Sequence, residues 1–235
     1  MLICRKQPSI FQRRNENEAD DDGGAGGDPD SLGNRAGAGS GLYSDLQRQG
    51  SHRLGLRQAR RRGEKSGAGY AVEHGVIFCT VKDGGNLYTE KEYGDFVLRF
   101  EFKLTANANN GIGIRAPLEG DSAYAGMEIQ VLDDSGSQYQ SLRPEQYHGS
   151  IYDCFACKRG FQKPVGEWNE EEITAKGRQV TVKLNGTVIV DANLDDIKDE
   201  AKLKKHPGLL NKKGHIGFLG HGARVEFRNL RVKEL

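Results

Sequence analysis

Between Asp95 and Leu104 the chain alternates without a fault: Phe96, Leu98, Phe100, Phe102 and Leu104 fall on one parity, and Val97, Arg99, Glu101 and Lys103 on the other. Successive side chains of a strand point to opposite faces, so this period of two reads as a half-buried β-strand with its charged face in solvent. From Tyr70 onward the texture is the same throughout. Short β-rich runs are cut by Gly, Asn and Asp, as in an all-β sandwich. Ala71–Glu73 and Val76–Val81 read as a hairpin around His74-Gly75, and Asn86–Thr89 as a short strand. Asn109-Asn110-Gly111 reads as a turn before a strand Ile112–Arg115. Val180–Leu184 and Thr187–Val190 flank Asn185-Gly186, a two-residue turn that tolerates positive φ at both positions. Asp195–Lys205, dense in charge, is expected to hold one short surface helix that Pro207-Gly208 stops. Near the end, Leu230 and Val232 change parity relative to Val225 and Phe227, and a bulge near Asn229 would restore the apolar face. Together these runs predict a curved jelly roll of two sheets.

One stretch departs from the pattern. Tyr124–Asp134 places Glu128 and Gln130 on one face of an otherwise apolar strand, opposite Ile129 and Val131. A sheet lining a polar groove would look like this, and so would an ordinary solvated face. Asp133 follows at the strand end. By strict alternation it shares the face of Ile129, so the strand bulges, or Asp133 leaves the sheet, or it takes no part in a site. Arg115, on the parity of Gly113, reads either as a groove-facing fork for hydroxyls or a carboxylate, or as a surface arginine. The loop 135–147 leads into His148 and Tyr152, residue types that bind sugars and move protons. The sole tryptophan, Trp168, beside Glu167, is either a core anchor or a stacking platform for a sugar ring, and Gly214–Gly220 ends at His221.

The formal net charge of +1 implies no general pull towards nucleic acid or membrane, and no apolar run approaches the roughly 20 residues a bilayer requires. Arg57, Arg60, Arg61 and Arg62 form a basic cluster without the aromatic interleaving of a nucleic-acid site. Of the cysteines, Cys4, Cys79, Cys154 and Cys157, the last pair has Cys-x-x-Cys spacing, but neither the second ligand pair of a zinc site nor the helix start of a redox motif accompanies it. No metal ligand set and no cofactor are expected. Calcium is compatible with Asp133-Asp134 but without a defined ligand set. Residues 12–69 show neither helical nor strand period, and their composition cannot offset the entropy of ordering, so residues 1–69 are expected to be disordered and 70–235 to form the domain.

Seven segments in order resemble the 3-keto-disaccharide hydrolase domain family, also described as 3-keto-glucoside lyase/hydratase domains. They are Gly85–Thr89, Gly94–Phe96 with its strand, Asn110–Arg115, Gly126–Asp134, Gly149–Tyr152, Lys163–Asn169 and Gly214–Asn229. The resemblance implies a concanavalin A-like jelly roll with a carbohydrate site, acting on glycosides already oxidised at C3. A C3 ketone acidifies the C2 proton, so a base removes it, the C1 substituent leaves and water adds to the product. In that chemistry Glu128, Asp133 and His221 are the catalytic candidates, and Arg115, Gln130, His148, Tyr152, Glu167 and Trp168 the substrate-binding ones. The partner is then a glycoside or oligosaccharide. Glu128–Asp133 is also similar to the Glu-x-Asp-x-x-Glu strand of laminarinase-type glucanases, with Gln130 in place of the middle acid and Asp133 shorter than the last. A non-catalytic sugar-binding jelly roll is the alternative of another class. The same family places a further strand ahead of Tyr70. Codons compatible with Leu46–Gly55, read one base later, permit Phe-Asn-Gly-Lys-Asp-Leu-Thr-Gly-Trp, which resembles that strand. The segment to Gly69 is therefore expected to be an out-of-frame or non-native translation, leaving the domain without its usual first strand and without the signal peptide of a periplasmic or secreted protein.

Overall fold

The computed structural model describes residues 69–79 and 85–235, together with the backbone of Leu56–Gln58. Two antiparallel sheets face one another. In chain order the strands are β1 (Leu56–Gln58), β2 (Tyr70–Glu73), β3 (Val76–Cys79), β4 (Gly85–Tyr93), β5 (Phe96–Leu104), β6 (Asn109–Ala116), β7 (Met127–Leu132), β8 (Trp168–Lys176), β9 (Gln179–Leu184), β10 (Thr187–Asn193), β11 (Gly214–Gly220) and β12 (Val225–Glu234). A five-stranded sheet runs β1-β4-β11-β6-β7, and a seven-stranded sheet runs β10-β9-β8-β5-β12-β3-β2. Among the described residues two short α-helices, α1 (Ser122–Ala125) and α2 (Glu200–Lys205), complete it. This is the all-β two-sheet sandwich that the alternation predicts. β1 pairs with β4 and lies inside the stretch whose sequence shows no strand period. The remainder of that stretch, with Cys4 and the expected change of frame, lies outside the described residues.

The core forms where the inward faces meet. Phe96, Leu98, Phe100, Phe102 and Leu104 of β5 are all buried, packed in one cluster with Ile112 and Ile114 of β6, Ile129 and Val131 of β7, and Ile216 and Phe218 of β11. The hairpins form as read. Glu73 pairs with Val76 around His74-Gly75, and Leu184 pairs with Thr187 around Asn185 (φ 48°) and Gly186 (φ 88°). The register of β12 against β5 shifts between Arg228 and Arg231, with Asn229 at φ 55°, which is the expected bulge. Asn109-Asn110-Gly111 is strand from its first residue, because Asn109 pairs with Leu132 and Asn110 is fully buried against Tyr70.

Arg115 is not in a groove. The register of β6 against β11 shifts between His215 and Gly217, and Arg115 has φ 49°, so a bulge breaks the alternation that would have placed it on the face of Gly113. Its side chain is 1% exposed. Nε donates to Gly94 O (2.9 Å), Nη1 to Gly177 O (2.8 Å) and Asn211 O (3.3 Å), and Nη2 to Asp95 Oδ1 (3.1 Å). The guanidinium thus joins the β4–β5 turn, the β8–β9 turn and the segment before β11. Four of its five N–H donors are thereby spent on the protein itself. Replacing Arg115 by Ala would orphan three carbonyls and is expected to lower stability by about 3 kcal/mol or more, with Lys a partial rescue, read from urea unfolding midpoints.

Candidate functional site on the outward face of the five-stranded sheet

Glu128 sits on β7, directly across from Gly113 of β6, and Gln130 directly across from Gly111. A solvated face would leave both side chains wet. Each is instead 5% exposed. The reason lies in the neighbouring strand: a Cβ placed on Gly111 would overlap Glu128 Oε1, so the carboxyl group leans over β6 into space that only glycine leaves free. Gly217 of β11 does the same for the ring of Tyr88 on β4. The Tyr88 hydroxyl pairs with Ser122 Oγ of α1 and takes a hydrogen bond from Asn86 Nδ2 (3.1 Å). Gly113 lies beneath Leu219 and Ser122. The glycines of these strands therefore accommodate the protein's own side chains.

Burial without a donor decides the chemistry of Glu128. Among the described residues its Oε1 has no hydrogen-bond partner, and neither do Gln130 Oε1 and Asn109 Oδ1, from the same face. Desolvation, with a smaller contribution from the negative charge of Asp121, pushes the Glu128 carboxyl from 4.5 up to about 8. His221 Nε2 lies 4.0 Å from Glu128 Oε1, on a side chain that is about half exposed. Glu128, Gln130 and His221 are thus brought together. Tyr152 joins them through the backbone. Its N–H donates to Glu128 O (2.8 Å), and the bridge between Ile129 and Ile151 sets Tyr152 across from Glu128 on a strip that extends the sheet.

The other candidates stand elsewhere. Asp133 lies just past the end of β7 and leaves the sheet. Its Oδ1 accepts from Ser135 N (3.0 Å) and Oγ (2.6 Å), and its Oδ2 from Asn107 N (2.8 Å), so the carboxylate caps a turn. His148 points inward between the sheets. Its ring stacks on Phe102 at 4.9 Å, Nδ1 accepts from Leu132 N (3.4 Å), and Nε2 is 3.2 Å from Glu171 Oε2 without the alignment of a hydrogen bond. Trp168 lies on the outward face of the other sheet, with Arg228 3.9 Å and Lys103 5.0 Å from its ring, and Glu167 beside it is exposed. Cys154 and Cys157 are free thiols packed against the core, and burial pushes Cys154 up to about 11. Among the described residues no three His, Cys, Asp or Glu side chains are grouped to hold a metal ion.

Sequence reasoning missed Asp121, Ser122, Tyr88 and Asn109. For Asn109 a signal existed, since residues 109, 111 and 113 share one parity once the strand is started early enough. Nothing in the sequence marks the other three, which reach the site from other elements.

Residues 52–233 match the 3-keto-alpha-glucoside-1,2-lyase-like domain. The chain belongs to this family. The matched region begins upstream of Tyr70 and takes in β1. A family relative, a 3-keto-disaccharide hydrolase of Bacteroides thetaiotaomicron, is 29% identical over 182 residues, which cover 65% of this chain and 63% of that protein. The chain therefore spans less than two thirds of the length of the curated relative it matches. Among solved structures, a candidate glycosyl hydrolase of Parabacteroides distasonis superposes with a TM-score of 0.64 at 23% identity, over 77% of this chain and 99% of that one. A protein of unknown function with a galectin-like fold from Bacillus subtilis gives 0.51 at 14% identity, over 82% and 93%. These two likenesses concern the fold alone.

The raised carboxyl has a signature in stability. The native state keeps a proton on Glu128 up to about pH 8, while the unfolded chain gives it up near 4.5. The stabilisation by the neutral buried acid is complete below 4.5 and lost as pH rises to about 8. Glu128→Gln cannot ionise. The melting temperature of the wild type should therefore fall relative to that of Glu128→Gln across this window, measured as a pH series on both proteins.

Proposed function

We propose that this family member cleaves glycosides carrying a ketone at C3, by elimination followed by hydration, with Glu128 as the base. The observation that carries the reading is the Glu128 carboxyl itself: buried, its Oε1 without a hydrogen-bond donor among the described residues, raised to about 8 and bordered by His221. A base works best when its pKa lies near the operating pH, and an isolated carboxylate is stronger than a solvated one. Glu128 removes the proton from C2, and the electron pair moves onto the C3 carbonyl oxygen. As the ketone re-forms, the bond from C1 to the aglycone oxygen breaks, leaving an enone. Water then adds at C1 and a proton returns to C2, giving the 3-keto sugar. The Gln130 amide is suited to donate to the enolate oxygen. His221, half exposed, can exchange protons with solvent and supply one to the departing oxygen. The orphaned oxygens of Gln130 and Asn109 are acceptors suited to sugar hydroxyls.

Two features count against the retaining glucanase mechanism. That mechanism uses a second carboxyl about 5–5.5 Å from the first. Asp133, its sequence counterpart here, is held in a turn by Ser135 and Asn107. The middle acid is Gln130, which cannot ionise.

The test is release of 4-nitrophenol from its 3-keto-glucoside. Wild type is expected to release it with kcat/KM rising as pH approaches about 8, because the active form is the carboxylate. Glu128→Gln is expected to reduce the rate by roughly a thousandfold or more. A profile that falls through the same pH would make Glu128 an acid and overturn the assignment. Saturable sugar binding with no release would favour a binding module.

A further inference from the structure

α1 is only four residues long, too short to be stable on its own backbone hydrogen bonds. Its N-terminal end is closed by Asp121, whose Oδ1 accepts from Ala123 N (3.0 Å). Its carbonyl end is closed by a single segment. His206 Nδ1 contacts Ala123 O (3.2 Å), Gly208 N donates to Tyr124 O (2.9 Å), and Asn211 Nδ2 donates to Ala125 O (2.9 Å). Three consecutive carbonyls are thus met from residues 206–211. The approach is close enough that a Cβ on Gly208 would overlap Ala125 O.

His206 is itself firmly held. It caps α2, its N–H donating to Lys202 O (2.9 Å), and its side chain is 1% exposed. The ring stacks on Tyr124 at 4.9 Å, and Nε2 lies 2.9 Å from Asp153 Oδ2. Both ring nitrogens face acceptors, so the two contacts are hydrogen bonds together only when both nitrogens carry hydrogen. Asp153 also receives Lys205 Nζ (2.6 Å) and Arg143. Burial pulls its carboxyl up, but the hydrogen bonds from Lys205, His206 and Arg143 outweigh it and hold the group well below the usual range, so the anion persists.

What α1 brings to the sheet explains why such an anchor matters. Ser122 lies against Gly113 and pairs with Tyr88, and Asp121 adds its charge to the surroundings of Glu128. We propose that His206 is a positioning residue for the Glu128 site: by gripping the carbonyl end of α1, it fixes Asp121 and Ser122 against β6 and β7. The charged and titratable groups in contact with His206 are Asp153 and Tyr124, with Lys205 and Arg143 bound to Asp153 in turn, and those facing Glu128 are Asp121 and His221. Loosening α1 moves Asp121 away and lets water reach Glu128. Both changes lower the Glu128 titration midpoint.

The catalytic half of this inference rests on the proposed function, so the first readout is independent of activity. The Glu128 carboxyl is titrated by carbon-13 NMR in the full chain, wild type against His206→Ala. The midpoint is expected to fall by at least about half a unit. The acid limb of the rate profile should move down with it, and kcat on the plateau should drop roughly tenfold with KM changed less than about twofold. Asn211→Ala, which frees Ala125 O, should shift the midpoint in the same direction. His206→Gln, whose amide can still donate to Ala123 O, should leave it near the wild-type value. If His206→Ala does not fold, the Asn211→Ala and His206→Gln pair decides. An unmoved Glu128 midpoint in folded His206→Ala, or in Asn211→Ala where the first does not fold, overturns the inference. Absence of aglycone release by the wild type would remove the proposed function while leaving the titration result standing.

Discussion

Burying a carboxyl group in a sheet face needs room on the neighbouring strand, and burial without a donor favours its protonated form. Glu128 of β7 meets this constraint by leaning over Gly111 of β6, and among the described residues its Oε1 has no hydrogen-bond partner. The pairing of the two strands is therefore more than a scaffold. Its register sets glycine beside a polar residue twice, Gly113 opposite Glu128 and Gly111 opposite Gln130. A slip of one residue would bring Ile112 or Asn110 under the carboxyl and turn the polar pair into the core.

The same sheet face divides into two parts. Tyr88, Leu219 and Ala116 form a small apolar cluster, with Ser122 of α1 on the Tyr88 hydroxyl and over Gly113. Glu128, Gln130 and Asn109 lie in the remainder, with oxygens that lack partners, and His221 stands at its edge. Two buried charge networks keep this geometry in place. Arg115 ties turns of both sheets together, and Asp153 with its partners Arg143, Lys205 and His206 secures the segment on which α1 rests. Neither presents a free group to the site. A third buried pair, His148 and Glu171, lies between the sheets and likewise belongs to the interior.

Much of the fold is legible in the sequence because period-two alternation and turn chemistry are local. Phe96–Leu104, the Asn185-Gly186 hairpin and the bulge at Asn229 each depend on residues within a few positions of one another. Of the site, Glu128, Gln130 and His221 are legible for the same reason, as polar groups breaking an apolar strand or ending a glycine-rich one. Arg115 and Asp133 misled because alternation was carried through a bulge and past a strand end, where it no longer holds. His148 and Trp168 misled because residue type says nothing about which side of the sandwich a side chain occupies.

The sequence by itself determined two antiparallel sheets, the apolar face of nearly every strand and the polar pair on β7, since side-chain direction along a strand follows from covalent geometry alone. Only the tertiary structure decided that this polar pair is dry rather than solvated, that Gly111 makes room for a carboxyl group, and that Asp121 and Ser122 arrive beside it from α1. Those facts depend on which strand lies next to which, and strand order is set by contacts between residues far apart in the chain.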